Sequence, residues 1–165
     1  MSIDYNEYFG RYAGLVNNDS LSEAMEKNYR AFMALAATID EERSTYRYGD
    51  DKWSIKELVA HVIDTERIFA YRALRFARND STELSGFDEN HFAAFAGADE
   101  RAFKDLVEEF DYTRRSSMAL YKSFDEEMLQ RSGKANGITF DVTLLGYLIA
   151  GHCQHHMNVL GERYL

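Results

Sequence analysis

The chain has 165 residues, 45% of them hydrophobic, with a formal net charge of -9 and a pI near 5.0. That length supports one domain that buries roughly 70% of its unfolded surface, and the acidic balance argues against a nucleic-acid partner, which needs clustered Lys and Arg. The first residues, Met1 to Glu7, carry no basic or apolar leader, no run of about 18 apolar residues occurs, and the single cysteine, Cys153, excludes an intrachain disulfide and any Cys-x-x-Cys motif, so a cytoplasmic protein with no membrane partner is expected.

Proline is absent, where about 5% is average usage, and long periodic segments follow one another; the chain reads as all-α. From Ser20 to about Glu42, Leu21, Ala24, Met25, Phe32, Leu35 and Ile39 keep helical spacing. The second helix has the clearest start: Ser54 as N-cap, Glu57 completing a capping box, and Trp53 placed to staple onto Leu58. Its stripe runs through Ile55, Leu58, Val62, Phe69, Ala73 and Phe76 to about Arg78, with His61 at the edge and Thr65 one turn on. Residues 79–97 break the pattern with turn signals at Asn79 to Thr82, Ser85-Gly86 and Gly97. A third helix is expected from near Asp99 to Phe124. After the glycine-containing segment Arg131 to Gly137, a last helix opens around Thr139 to Asp141 and carries Leu145, Leu148, Ile149, His152, His156 and Val159 on one stripe.

Three of the five histidines lie in Gly151-His152-Cys153-Gln154-His155-His156. His152 and His156 are an i,i+4 pair whose Cβ atoms fall about 5 to 6 Å apart on one helix face, and they occupy positions that should be core. A lone histidine on an apolar face is usually a hydrogen-bonded core residue. Two on one stripe leave several polar atoms to satisfy, at about 1–3 kcal/mol for each left unpaired; a shared cation meets that need, and His61 offers a third ligand. His155 lies roughly 100° round the helix from His156 and fits a helix contact or an interface better. His91, in the long connection, is a weaker candidate for ligand or substrate contact, and Cys153 reads as a small packing residue. Ferritin-like Glu-x-x-His pairs and His-Glu-x-x-His are both absent, which leaves a mononuclear tri-histidine site against chance clustering of structural histidines.

The segments Asp51-Lys52-Trp53-Ser54 through His61-Val62-Ile63-Asp64, Leu84-Ser85-Gly86-Phe87-Asp88, and Tyr147 to His156 with Glu162-Arg163-Tyr164 are similar to the DinB/YfiT-type superfamily of metalloenzymes, and the likeness spans nearly the whole chain. The resemblance implies a single-domain four-helix bundle of up-down-down-up topology, with residues 79–97 as the crossover between helices two and three. It also implies a divalent metal held by His61, His152 and His156. Two positions depart from the usual pattern: Ser85 stands where proline is frequent, and Cys153 where glutamate is common.

Three imidazoles leave open coordination positions, so a bound metal could polarise a substrate or lower the pKa of a coordinated water or thiol. Characterised relatives include transferases and isomerases that use bacillithiol, mycothiol or glutathione, and the resemblance implies a related reaction of a low-molecular-weight thiol with a small-molecule substrate. Asp64, one turn after His61, could orient a ligand or accept a proton; Arg72 and Arg75, farther along roughly the same face, could bind a carboxylate. The alternatives are a metal-binding stress or interaction protein without turnover and a metal-water hydrolase with Asp64 or Glu66 as base. Histidine ligands suit Zn, Ni, Fe and Cu, with zinc or nickel expected first. Eleven Phe and eleven Tyr exceed what a small core needs, and a homodimer is expected.

Overall fold

Serine caps fix where two of the four long helices begin. The Glu57 backbone N donates to Ser54 Oγ at 3.1 Å while the Ser54 N donates to the Glu57 carboxylate at 2.9 Å, the reciprocal capping box expected from the sequence; Ser20 and Glu23 repeat it. The computed structural model describes residues 5–165; the leaderless start expected of the N-terminus falls in part on residues 1–4, outside the described residues. In chain order it contains α1 (Tyr5–Ala13), α2 (Leu21–Ala36), α3 (Ile55–Ala77), α4 (Glu89–Phe95), α5 (Phe103–Lys122), α6 (Glu126–Gln130), a hairpin of β1 (Ser132–Ala135) and β2 (Ile138–Asp141), and α7 (Val142–Val159), which widens into a π-type turn over Leu160–Tyr164.

Four of these make the bundle. α5 and α7 each pack on both α2 and α3, which puts α2 and α3 on a diagonal. Contacts near the helix ends give the directions. Glu41, just past α2, pairs with Lys56 in the first turn of α3, so those two run antiparallel. Lys56 also donates to the Arg101 carbonyl ahead of α5 at 2.6 Å, and Glu66 farther along α3 meets Arg114 farther along α5, so these two run parallel. His61 near the start of α3 meets His152 near the end of α7, so α7 runs back. The result is the up-down-down-up bundle, with residues 79–97 crossing between the parallel α3 and α5.

Two boundaries and one added helix differ from the expectation. α2 stops at Ala36, short of Glu42: Asp40 Oδ1 accepts from the Arg43 N at 2.7 Å and starts a 3-10 turn over Arg43–Thr45. Ile39 stays 7% exposed on the way, so the apolar spacing continues past the end of the helix. α5 starts at Phe103; Asp99 belongs to a separate 3-10 turn and accepts from the Ser54 hydroxyl at the head of α3. The crossover itself contains α4, capped by Asp88, whose carboxylate accepts from the Asn90 and His91 N–H groups at 3.0 and 3.1 Å.

Two further elements carry the site. The hairpin turns on Asn136 (φ 52°) and Gly137 (φ 75°), both left-handed as a type I′ turn requires. The crossover joins its edge, the Leu84 N donating to the Lys134 carbonyl and the Asn136 N to the Leu84 carbonyl, each at 2.9 Å. α1 crosses α7 at Gly151, so closely that a Cβ there would lie 2.0 Å from the Tyr12 carbonyl oxygen. Among the described residues no helix is long and apolar enough to cross a membrane.

That backbone contact cannot yield as a flexible side chain would. Gly151→Ala is expected to lift α1 off α7 and destabilise the fold by about 1–3 kcal/mol in chemical denaturation. Gly10→Ala on the same α1, where a Cβ meets nothing within 4 Å, should be neutral or stabilising by up to about 1 kcal/mol.

Candidate metal centre

The site forms where the start of α3 and the end of α7 run antiparallel past each other. His61 is 5% and His152 7% exposed, and His156 is partly buried. His152 Nε2 lies 3.0 Å from His61 Nε2 and 3.1 Å from His156 Nε2, and one ring nitrogen of each lies within 4.8 Å of the other two. The sequence reading chose these three, and the fold brings them together. Trp53 covers the cluster, its ring 4.7 Å from that of His61. On the other side Tyr12 of α1 sets its ring 5.7 Å from His152 and 5.1 Å from His155. His155 thus sits at the α1 contact, outside the triad.

Burial keeps these imidazoles neutral. It pushes the His61 pKa down to about 4, with the charge of His155 adding to the effect, and drives His152 and His156 well below the usual histidine value, with the neighbouring imidazoles contributing. Neutral rings are the form that ligates metal. The nitrogens also cannot satisfy one another: a neutral imidazole has one donor and one acceptor nitrogen, whereas His152 Nε2 faces two other Nε2 atoms at once. His156 Nδ1 is buried with no partner. Ring nitrogens bound to one ion at about 2.0–2.1 Å must crowd in the same way, so the donor set fits a divalent cation.

A cavity of about 390 Å³ opens beside the cluster, reaching His152 and lined by α1, α3, residues 86–89 of the crossover, the hairpin and α7. Its walls are largely aromatic, with Phe9, Phe69, Phe87 and Phe140 among them. Thr65 and Arg72 of α3 face it. Arg72, expected from the sequence to bind a carboxylate, is 5% exposed and donates to the Ser85 carbonyl at 3.3 Å.

The remaining candidates lie elsewhere. Asp64 does not line this cavity; it is half-buried, its pKa raised first by burial, and Arg67, Glu109 and Arg101 are the charges that act on it. Two of those charges, Glu109 and Arg101, belong to α5 and the turn before it, so the base role expected of Asp64 has no support in this placement. Glu66 is consumed in the core by Arg114. Arg75, expected to work beside Arg72, pairs instead with Asp80 and the Tyr71 hydroxyl at the surface. His91 is exposed on α4 and stacks near Phe95 at 4.7 Å. Cys153 is buried beside Arg114 and Asn28, and burial pushes its thiol up to about 12, which makes it inert as a nucleophile.

Bundle topology, a histidine triad shared by antiparallel α3 and α7, and an adjoining cavity define a class of small helical proteins built to present a metal-type donor set. The sequence profile of the DinB superfamily matches residues 24–160, and the chain belongs to that superfamily. YfiT from Bacillus subtilis, described as a probable metal-dependent hydrolase with an unusual four-helix bundle topology, is similar in structure with a TM-score of 0.74. It is 13% identical over 86% of this chain and 82% of its own. At that identity the likeness establishes the shared fold. No curated protein sequence matches the chain significantly.

Proton linkage gives a test of the buried triad. Unfolded histidine titrates near 6.5 and native His61 near 4, so between these values the unfolded state binds more protons. The stabilisation is therefore complete above about pH 6.5 and is lost as the pH falls toward 4; for His61 the shift corresponds to about 3 kcal/mol. Metal-free protein should lose stability steeply across this window in urea unfolding, and His61→Gln should flatten the profile. A flat wild-type profile would show that the native rings take up protons as freely as unfolded ones.

Proposed function

We propose that the chain is a metal-dependent enzyme in which His61, His152 and His156 hold one divalent cation, and that it transfers a low-molecular-weight thiol to an electrophilic small molecule entered through the adjoining cavity. The observation that carries the reading is the convergence of three neutral imidazoles, two buried and one partly buried, beside an aromatic-lined cavity that reaches His152. A divalent ion held there would supply Lewis acidity and would lower the pKa of a bound thiol or water. The protein's own groups do the rest. Burial keeps the ring nitrogens deprotonated, Trp53 and Tyr12 shield them from bulk water, and the cavity admits the reactants on the His152 side.

The nucleophile comes from outside the chain on this reading. Cys153 is sealed in the core with its thiol pKa raised, Asp64 does not line the cavity, and Glu66 is paired with Arg114. A hydrolase using metal-bound water would need a base near the triad. Among the described residues Asp88 and Glu89 bring the carboxylates to the cavity, and Asp88 is committed to capping α4. Hydrolysis is kept as the second reading because of Glu89, whose pKa burial raises, and because of the description attached to YfiT. Zinc or nickel is the ion we favour for a three-imidazole set.

Metal analysis of untagged protein should find one divalent ion per chain after reconstitution. His61→Ala, His152→Ala and His156→Ala should each weaken zinc binding on the order of 100-fold or more, beyond the loss of an outer-shell partner, with helicity retained. His155→Ala should be mild. Reconstituted enzyme should then conjugate bacillithiol, mycothiol or glutathione to monobromobimane above the uncatalysed rate, and His61→Ala should not. Ester hydrolysis without added thiol would favour the hydrolase, and bound metal with neither activity would point to a non-catalytic role.

A further inference from the structure

Arg72 is a cation in the wrong place for a structural residue. It is 5% exposed and, among the described residues, no carboxylate pairs with it; its one hydrogen bond is to the Ser85 carbonyl, and its ring contact is with Phe140 at 5.7 Å. A guanidinium has five N–H donors, and burying it without a counter-ion is costly. The neighbouring acids are accounted for: Asp80 belongs to Arg75, and Asp88 caps α4. Burial and the charge of Asp88 raise the Glu89 pKa with no cation lowering it, the opposite of what a partner of Arg72 would show.

A second orphan lies on the same wall. Thr65 is 3% exposed and lines the cavity, and its hydroxyl is buried with no hydrogen-bond partner. Helix geometry aligns the set: Thr65 and Arg72 are seven positions apart, so they share a face within about 20°, and helical side chains lean toward the N-terminus, which brings the Arg72 head back toward Thr65 and the histidines. Between them Phe69 supplies an apolar surface.

We infer that the cavity takes a small organic carboxylate, its anionic group held by Arg72, with the Thr65 hydroxyl as a further donor to the bound molecule, and its apolar or aromatic body laid along Phe69 and Phe140 toward His152. A monoanion fits better than a phosphate dianion, because Asp88 and Glu89 at the same cavity repel excess negative charge. The inference rests on reading this cavity as the substrate site of the proposed enzyme, and it names the class of substrate.

The test is calorimetric titration of 4-phenylbutyrate and its uncharged amide into metal-free and zinc-loaded protein. The acid should bind at least tenfold more tightly than the amide in both forms. Arg72→Gln should abolish that preference and leave the amide's affinity unchanged; Thr65→Val should weaken the acid severalfold, and Arg75→Gln should change nothing. Arg72→Met should raise the melting temperature of the metal-free protein, since it removes an unpaired buried charge. Equal affinities for acid and amide in the wild type, or no acid binding at roughly 10 mM, where even weak contacts register, would overturn the inference without any variant having to fold. A lower melting temperature for Arg72→Met would make Arg72 structural and overturn it too. Zinc binding without acid preference sinks only the carboxylate site, and acid preference without zinc binding sinks only the metal reading.

Discussion

At the centre of the bundle a fully buried Arg114 grips Glu66 through Nε at 2.9 and 3.1 Å and Nη2 at 3.0 Å, and the register of the other helices depends on that contact. Its Nη1 donates to Asn28 of α2 at 2.8 Å, and Asn28 donates on to Gln154 of α7 at 3.3 Å. One guanidinium thus ties α5 to α3 and α2, and through Asn28 to α7. A buried ion pair adds little net stability relative to a well-packed apolar pair, but removing one partner costs about 3–5 kcal/mol because the other charge is stranded. Such a pair penalises slippage more than it rewards folding. Here that penalty falls on the alignment of α3 with α7, which decides whether His61 meets His152 and His156. Glu66 lies five residues from His61, and Cys153 follows His152 directly, its thiol beside the same arginine.

The position of Cys153 makes sense in this setting. The DinB-type pattern commonly has glutamate there, but Arg114 already has its carboxylate in Glu66. A second buried acid would leave a negative charge in excess in a site with no further cation, whereas a thiol raised to about 12 stays neutral and fills the space. The core keeps charge balance, and the histidines beside it stay neutral for the same reason: nothing nearby supports an imidazolium.

How much of this could be read from the chain depended on whether the signal was local. The capping box of Ser54 and Glu57, the apolar stripes and the i,i+4 histidine pair are short-range patterns; the box and the pair appear where the spacing put them, and the stripes do so apart from the end of α2 and the start of α5. The hairpin is equally local, since Asn136-Gly137 between Lys134-Ala135 and Ile138-Thr139 is a strong type I′ signal; its short, mixed strands lack an alternating apolar pattern, so the glycines stand out as a loop. α1 is short, with Tyr8, Phe9 and Tyr12 among its aromatic residues, and its place is set by a partner, the notch at Gly151. The Glu66–Arg114 pair left no mark at all, because two charged residues on two helices look like solvated faces until the helices are docked. Arg72 and Arg75 show the limit most plainly. They are one turn apart on α3 and equivalent in sequence, yet Arg75 reaches the surface and Asp80 while Arg72 turns inward.

Native cores satisfy their buried polar groups almost without exception, so the exceptions carry information. Among the described residues the buried side-chain atoms without a partner are Thr65 Oγ1 and His156 Nδ1, and Arg72 is the buried cation without a carboxylate. Thr65 and Arg72 line the cavity that reaches His152, and His156 packs against His152 itself. Elsewhere the molecule is strict: Arg114, as deeply buried as any residue, has every neighbour it needs, and Tyr121, also buried, donates to the Val142 carbonyl at 2.8 Å. A fold able to satisfy a guanidinium in its centre did not fail to do so at its rim for lack of means. Thr65 and Arg72 share one wall of that cavity, and on the function proposed above an anion would complete the guanidinium there while a cation would complete the converging Nε2 atoms of the histidines.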